Sequence, residues 1–323
     1  MFGKLLVRNI PVAILEGLET LAGRHDRSTE AEARYAIRAH VEPFIMANER
    51  SARLVELSER LRSLLAQVNA VIYRSSFKPS HIAEAIGEAH AGPVEEWFTG
   101  ENEPTFMQLE TIADYLGCNK NWLKHGEGSV FPFKSERLPE NAADAVCWLL
   151  DLNKPEKVSY LHLVREADET GALVIVKQYG DWYCESYLTT MHVSEVIGNG
   201  GETALSCFAV ALELLFKYYA KAGGDVVIKS YLLPPADFSK LCSGQAHPLA
   251  LIRGAAKEAP WWEDFWDVAQ FQKQNYWSGW KAICGRIANV IELTPQLKKE
   301  RDQIRSGDHL FLNSNLPAEH LEK

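Results

Sequence analysis

No stretch of this sequence comes near the ~18 consecutive apolar residues that a bilayer-spanning helix requires. Its beginning, MFGKLLVRNIP, also lacks the basic start and apolar block of a secretory leader. A soluble, cytoplasmic protein with no membrane partner is the expectation. The six cysteines (Cys118, Cys147, Cys184, Cys207, Cys242 and Cys284) include no C-x-x-C pair, which leaves neither a zinc-type spacing nor a disulfide framework. Scattered thiols of this kind suit a reducing compartment. Positive charge is scarce as well: 34 Lys and Arg against 43 Asp and Glu give a net charge of −9. The deficit runs through the chain, with 15 basic and 18 acidic residues up to position 134 and 19 against 25 beyond it. Such a balance excludes a general polyanion binder, so any contact with nucleic acid has to be local and geometric. Repeats and low-complexity tracts are absent, and no spacing supports a catalytic triad or a metal ligand set. No catalytic residue, metal or cofactor is expected.

What the chain does have is length and apolar content, 323 residues with 46% hydrophobic, enough for more than one core. Breaks in pattern divide it at about residues 43, 76 and 134. In the first segment, residues 1–43, KLLVRN reads as a strand with Lys4, Leu6 and Arg8 on one face and Leu5, Val7 and Asn9 on the other. Pro11 then opens a helix that carries Leu15, Leu18 and Leu21 at helical spacing. A second helix starts with Thr29 and Glu32 as a capping box, and Pro43 marks its expected end. A unit this small cannot bury a core alone, and its one strand has no partner within it. A second copy supplies both, pairing the strands antiparallel across a two-fold axis with Leu5, Val7, Leu15 and Leu18 inside. The same pattern fits a dimerisation element that touches no DNA, with Lys4 only an edge-strand charge.

LLVRN followed by GRHDRSTEAEARYAI resembles the ribbon-helix-helix family of Arc, MetJ and FitA-type repressors and antitoxins, and is most similar to the FitA subgroup. The resemblance covers residues 3–43. It implies a two-stranded ribbon in the DNA major groove, with Lys4, Leu6 and Arg8 toward the bases and Arg8 reading guanine through a bidentate contact. The backbone amides of Ser28 and Thr29 would hold a phosphate. It also implies a homodimer, or a higher assembly, on palindromic or repeated double-stranded DNA.

Residues 44–76 form a connecting segment without Pro or Gly from Phe44 to Tyr73. Leu54, Leu57, Leu61 and Leu64, continued by Val68 and Val71, make a stripe with spacings of three and four. Two readings fit it: a parallel coiled coil that extends the dimer, or the first helix of the next domain with the stripe as core. Residues 77–134 read as short helices with turns at Gly87, Gly100 and Gly117, and resemble the helix-turn-helix of Cro and the lambdoid phage repressors. Ile82, Ala83 and Ile86 fall where the first motif helix is apolar, Val94 and Trp97 where the second is, and GENEPTFMQLETIADYLG and NWLKHGEG match the flanking patterns. The implied reading element, Glu88–Phe98, carries Glu95 and Glu96 where polar or basic side chains ordinarily meet DNA, with Lys78 and His90 as the available helpers. Either a secondary DNA contact or a fold retained for protein contact fits this domain.

Residues 135–323 predict an α+β domain. A helical stretch covers about 137–171, strand-like runs meet at Gly180-Asp181, an apolar helix runs from Gly201 to Lys221, a further strand follows, and the remainder is mainly helix. Three features are candidate sites there. GNGGETA (Gly198–Ala204) reads as a plain turn before a helix, or as an anion cradle. The aromatic set around Trp261, Trp262, Phe265, Trp266, Tyr276, Trp277 and Trp280 reads as core, or as a pocket lining. His162, His192, His247, Cys207 and Cys242 show no ligand spacing. The whole predicts a mainly α N-terminal half, a ribbon-helix-helix plus a helix-turn-helix, ahead of an α+β domain that senses a small molecule or binds a protein partner. The function expected is a homodimeric DNA-binding regulator, a repressor. The alternative is an antitoxin-like protein whose C-terminal domain neutralises a partner while the ribbon regulates its own promoter.

Overall fold

The computed structural model describes residues 5–73, 76–222 and 226–307. Residues 5–10 form no element within the single chain, and Asn9, with φ at 62°, turns them toward Pro11. Helix α1 (Val12–Arg24) follows, and Ala22 is buried where it meets α2 (Thr29–Asn69). Two expectations about α2 are corrected. Its cap is Ser28, not Thr29: Ser28 Oγ accepts from the Ala31 N–H at 3.1 Å. Glu32 lies one position too far along for the capping box. It ties the α1–α2 turn instead, through His25 Nδ1 at 2.9 Å and Arg27 at 3.6 Å. Nor does Pro43 end the helix, which continues as one element of 41 residues. A proline removes one backbone bond and crowds the preceding turn, at about 3 kcal/mol. The residues on either side contain no glycine, and the far half of α2 is anchored in a core, which together outweigh that cost.

That core belongs to the second unit. Helices α3 (Pro79–Ala85), α4 (Gly92–Thr99), α5 (Phe106–Leu116) and α6 (Lys120–His125) pack with the second half of α2. Leu61, Leu64 and Val68 meet Ile82, Val94 and Trp97 inside it, all at most 4% exposed. The leucine stripe is thus the first helix of a domain core. Leu57, Leu61 and Leu64 are buried in their own chain, which is the core reading of the stripe, and Leu54 is half-buried.

The third unit opens with β1 (Phe133–Glu136) and α7 (Ala142–Leu150), then β2 (Tyr160–Glu166), β3 (Ala172–Tyr179) and β4 (Tyr183–His192). Helix α8 (Asn199–Ala222), β5 (Val227–Leu233), α9 (Pro235–Ser243), α10 (Pro248–Ala255) and β6 (Lys257–Glu258) come next. The described chain closes with α11 (Trp261–Asp264), α12 (Val268–Phe271), α13 (Trp280–Leu293) and α14 (Pro295–Ser306). The strands form one mixed sheet in the order β1-β4-β3-β2-β5-β6, in which β1–β4 and β2–β5 are parallel. Strand β2 lies where a helical stretch was expected. It is central and buried on both faces, so it lacks the alternation that marks a half-buried strand. Its odd-numbered Leu161 and Leu163 face α7, α8 and α13 in the larger core, whereas Val164 faces α9 and α10. Trp261, Trp262, Phe265 and Trp280 are fully buried in the larger core, as the core reading of the aromatic set required.

The second and third units meet through the β3–β4 turn. Trp182 Nε1 donates to the Tyr115 carbonyl at 3.2 Å, and its ring stands edge-on to Phe77 with centroids 4.7 Å apart. Phe131 N–H donates to the Gly244 carbonyl at 2.8 Å. Gly244 has a φ of +65°, and a Cβ there would fall on the Phe131 carbonyl oxygen, so no other residue allows this approach.

Two buried histidines set a pH dependence. His162 donates from Nε2 to Gln178 Oε1 at 3.1 Å and accepts at Nδ1 from the Tyr231 hydroxyl at 3.3 Å. His247 accepts the Leu249 N–H at Nδ1, 3.3 Å away, and packs against Phe131. Burial holds both imidazoles down at about 4. The folded protein therefore keeps them neutral while the unfolded chain protonates near ~6.5. Their contribution is complete above that pH and is lost as pH falls from there toward 4, at up to about 1.4 kcal/mol per unit for each histidine. Urea unfolding at pH 7.5 and pH 5 should show a loss of about 4 kcal/mol at the lower pH, reduced in His162→Gln. A flat profile would contradict the assignment.

Candidate nucleic-acid interface

In the first unit the side chains expected at the DNA are free. Arg8 and Leu6 are exposed, and Arg8 has no ion-pair partner among the described residues. Lys4 lies outside the described residues. Beside them the apolar positions are bare: Leu5 is 75% exposed, Val7 56% and Leu15 40%, with Leu18 half-buried. The exposed set continues through Ile14, Tyr35, Ile37 and Val41, an apolar surface that soluble monomers rarely leave open. Ser28 caps α2 with its side chain, and the N–H groups of Ser28 and Thr29 have no acceptor among the described residues. They stand at the positive end of the α2 dipole, the arrangement that receives phosphate oxygens.

The second unit presents a different surface. Helix α4 starts at Gly92, so Glu88–Ala91 form a turn, not part of the expected reading helix. Glu95 and Glu96 point outward from it, and Glu96 accepts from Asn102 Nδ2 at 3.3 Å. Lys78 and His90 are exposed at either side of α3, and the Lys78 N–H donates to His81 Nδ1 at 2.9 Å. The end of α4 is pinned by Arg62, which donates to the Phe98 carbonyl at 2.7 Å. At phosphate range two carboxylates are repulsive, so this face differs in sign from the segment that carries Arg8.

In the third unit, the GNGGETA stretch is helical from Asn199 onward as the start of α8, where Glu202 pairs with Arg286. Among the described residues no group of three or more His, Cys, Asp or Glu is placed to hold a metal ion. Burial pushes the Cys118 thiol up to about 12 and those of Cys207 and Cys242 up to about 11, far from the thiolate that nucleophilic chemistry uses. Two charged groups were missed in the sequence. Arg165 and Lys177 are at most 1% exposed inside the sheet. Each interrupts an apolar strand, in LHLVRE and in VIVKQY, and that interruption was the available signal.

Lys177 Nζ donates to the Trp148 carbonyl and to Asp151 Oδ1 at 3.0 Å, and lies 3.9 Å from the centre of the Trp148 ring. Asp151 also takes Lys154 and the Tyr179 hydroxyl. Glu185 accepts from Tyr187 at 2.7 Å and from Lys134 at 2.7 Å, and these donors hold its carboxyl down at about 2 against the opposing effect of burial.

Set against known proteins, residues 4–41 match the family model described as antitoxin FitA-like, ribbon-helix-helix. No curated protein and no solved structure matches the chain.

Proposed function

We propose that this chain is a homodimeric, sequence-specific DNA-binding regulator that represses transcription, with the segments containing Arg8 paired as an antiparallel ribbon in the major groove. One observation carries the reading. The segment that matches the ribbon-helix-helix model is the one whose apolar residues Leu5, Val7 and Leu15 stay exposed in a single chain. A second copy covers them and gives each ribbon strand its hydrogen-bonding partner. Lys4, Leu6 and Arg8 then face the bases, and the amides of Ser28 and Thr29 hold the flanking phosphates. The third unit serves as the sensing or partner-binding part. The antitoxin description of the matched family favours a second reading, in which that unit neutralises a protein partner and the ribbon controls the promoter of the pair.

Light scattering should report twice the 36.3 kDa chain mass. Fluorescence anisotropy against DNA from the protein's own upstream region should show tight binding that weakens with salt, with a log–log slope of about −0.9 per neutralised phosphate. The five-helix unit, taken as a helix-turn-helix, serves protein contact in this proposal. The double change Glu95→Gln/Glu96→Gln should therefore leave DNA affinity within about twofold, whereas removal of two charges from phosphate range would strengthen it by about tenfold or more. A monomer that binds no specific DNA would end the repressor reading. Co-purification of a neighbouring gene product in stoichiometric amount would select the antitoxin-like one.

A further inference from the structure

Strand β2 ends by carrying Arg165 into the protein, 1% exposed, where no carboxylate touches its guanidinium nitrogens. Nε donates to the Val193 carbonyl at 2.8 Å, Nη1 to that of Glu166 at 2.6 Å and Nη2 to that of Asp168 at 3.1 Å, while the Trp277 ring covers the cation at 4.1 Å. A guanidinium has five N–H groups, so two have no acceptor among the described residues. Burial pulls its pKa down to about 10, which reflects a cation held out of water. The Trp277 indole N–H is likewise buried without an acceptor. Unpaired buried donors are rare in native structures, because each forfeits its hydration.

Arg165 and Trp277 both line a cavity of about 530 Å³. It lies beyond the carboxyl ends of the parallel pair β2 and β5, between the loop after β4 and the turn before α13. Open sheets with parallel strands take small ligands at this end. Leu232, Val196 and Tyr276 give the cavity an apolar wall. Asp168, Glu169 and Glu195 also line it; Asp168 accepts from the Thr170 and Gly171 N–H groups at 3.0 and 2.9 Å and lies in the field of Arg165, whereas Glu169 and Glu195 are exposed and neither has a cationic partner among the described residues. Gly279, with φ at +83°, lets Glu195 lie there, since a Cβ at this position would fall on the Glu195 carboxylate.

We propose that this cavity binds a small zwitterion of the α-amino acid class. Its carboxylate meets the remaining N–H groups of Arg165, its ammonium meets Glu169 and Glu195, and its side chain lies on Leu232, Tyr276 and the Trp277 ring. A simple anion would meet two uncompensated carboxylates, and a simple amine would leave the guanidinium donors unpaired. The site makes the third unit a sensor, and only that consequence rests on the regulator reading; binding itself does not.

The test uses the full chain without DNA. Thermal shift with each proteinogenic amino acid at about 10 mM should give a rise in melting temperature for at least one of them, as ligation stabilises the folded state. Calorimetry on that amino acid, its decarboxylated amine and its deaminated acid should show both analogues at least about tenfold weaker. Glu169→Gln/Glu195→Gln should lose about tenfold or more in affinity with the unliganded melting temperature unchanged. No shift from any amino acid, equal binding of either analogue, or unchanged affinity in the double variant would overturn the proposal. Any of these results leaves operator binding by the ribbon untouched, and a failure of operator binding leaves the cavity result standing.

Discussion

Arg8→Ala is expected to remove specific operator binding while leaving the fold intact. A bidentate arginine–guanine contact is worth about 1–3 kcal/mol in discrimination. In the proposed two-fold dimer the contact is made twice, so the loss should be about 2–6 kcal/mol, or roughly thirtyfold to twenty-thousandfold in affinity. Arg8 is exposed in the single chain, so its replacement disturbs no core, and the melting temperature and the dimer mass should both stay at the wild-type values. Arg8→Lys keeps the charge but lacks the planar fork, and should retain binding to DNA in general while losing preference for the operator. Anisotropy titrations of the three proteins against operator and scrambled duplexes at one salt concentration decide the matter. Wild-type affinity in the alanine variant would mean that the ribbon does not read the bases.

Asp151→Ala should be the most damaging single change in the sheet domain. Asp151 closes α7 with a left-handed backbone, φ 48°, and its carboxylate faces Lys177, which is completely buried. Burial by itself lowers the Lys177 pKa, and Asp151 is the first group that opposes this. Without the carboxylate, the ammonium keeps the Trp148 carbonyl and the faces of Trp148 and Tyr187, with Glu185 as its remaining, weaker counter-charge. Breaking a buried pair from one side costs about 3–5 kcal/mol, and alanine in a left-handed conformation adds about 1–2. Against a total stability of about 5–15 kcal/mol, the melting temperature should fall by about 10 °C or more. Asp151→Asn, which tolerates the backbone and keeps an acceptor, should lose less. Asp151→Asn combined with Lys177→Met, which leaves no buried charge, should recover much of the loss of the alanine variant. Urea unfolding followed by circular dichroism measures all three, and a loss below about 1 kcal/mol in Asp151→Ala would show that the pair contributes nothing net.

The contrast between these two positions shows what was legible in advance. The segment around Arg8 could be matched to a family because its signal is local, a turn and a capped helix within a few tens of residues, and residues 4–41 fit the ribbon-helix-helix model. Even there, the cap fell on Ser28 and not Thr29, since both residue types cap well and a one-residue shift leaves the pattern almost unchanged. The leucine stripe of α2 remained ambiguous for a different reason. Leu57, Leu61 and Leu64 show the same period whether they face a second helix or Trp97 and Ile82, and the partner is chosen by contacts remote in sequence. Arg165 and Lys177 left only an interrupted apolar run as a signal and Asp151 none, because their partners are remote in sequence: Trp148 and Asp151 for Lys177, Val193 and Trp277 for Arg165. The acidic face of α4 was read from Glu95 and Glu96, and the structure presents both outward, although the helix begins later than expected.

An α-helix is also a screw, advancing ~1.5 Å and turning ~100° with each residue. Because α2 passes unbroken from the capped turn at Ser28 into the core that holds Leu57, there is no swivel between the first unit and the second. The number of residues between those points therefore acts as an angular setting. One residue more or fewer would move the five-helix body by only ~1.5 Å yet turn it to face another direction, by ~100°. Seven more, close to two turns, would carry it ~10 Å outward and return it nearly to its original bearing. Along this stretch the length can change only in steps of about two turns if the bearing of the second unit is to be kept.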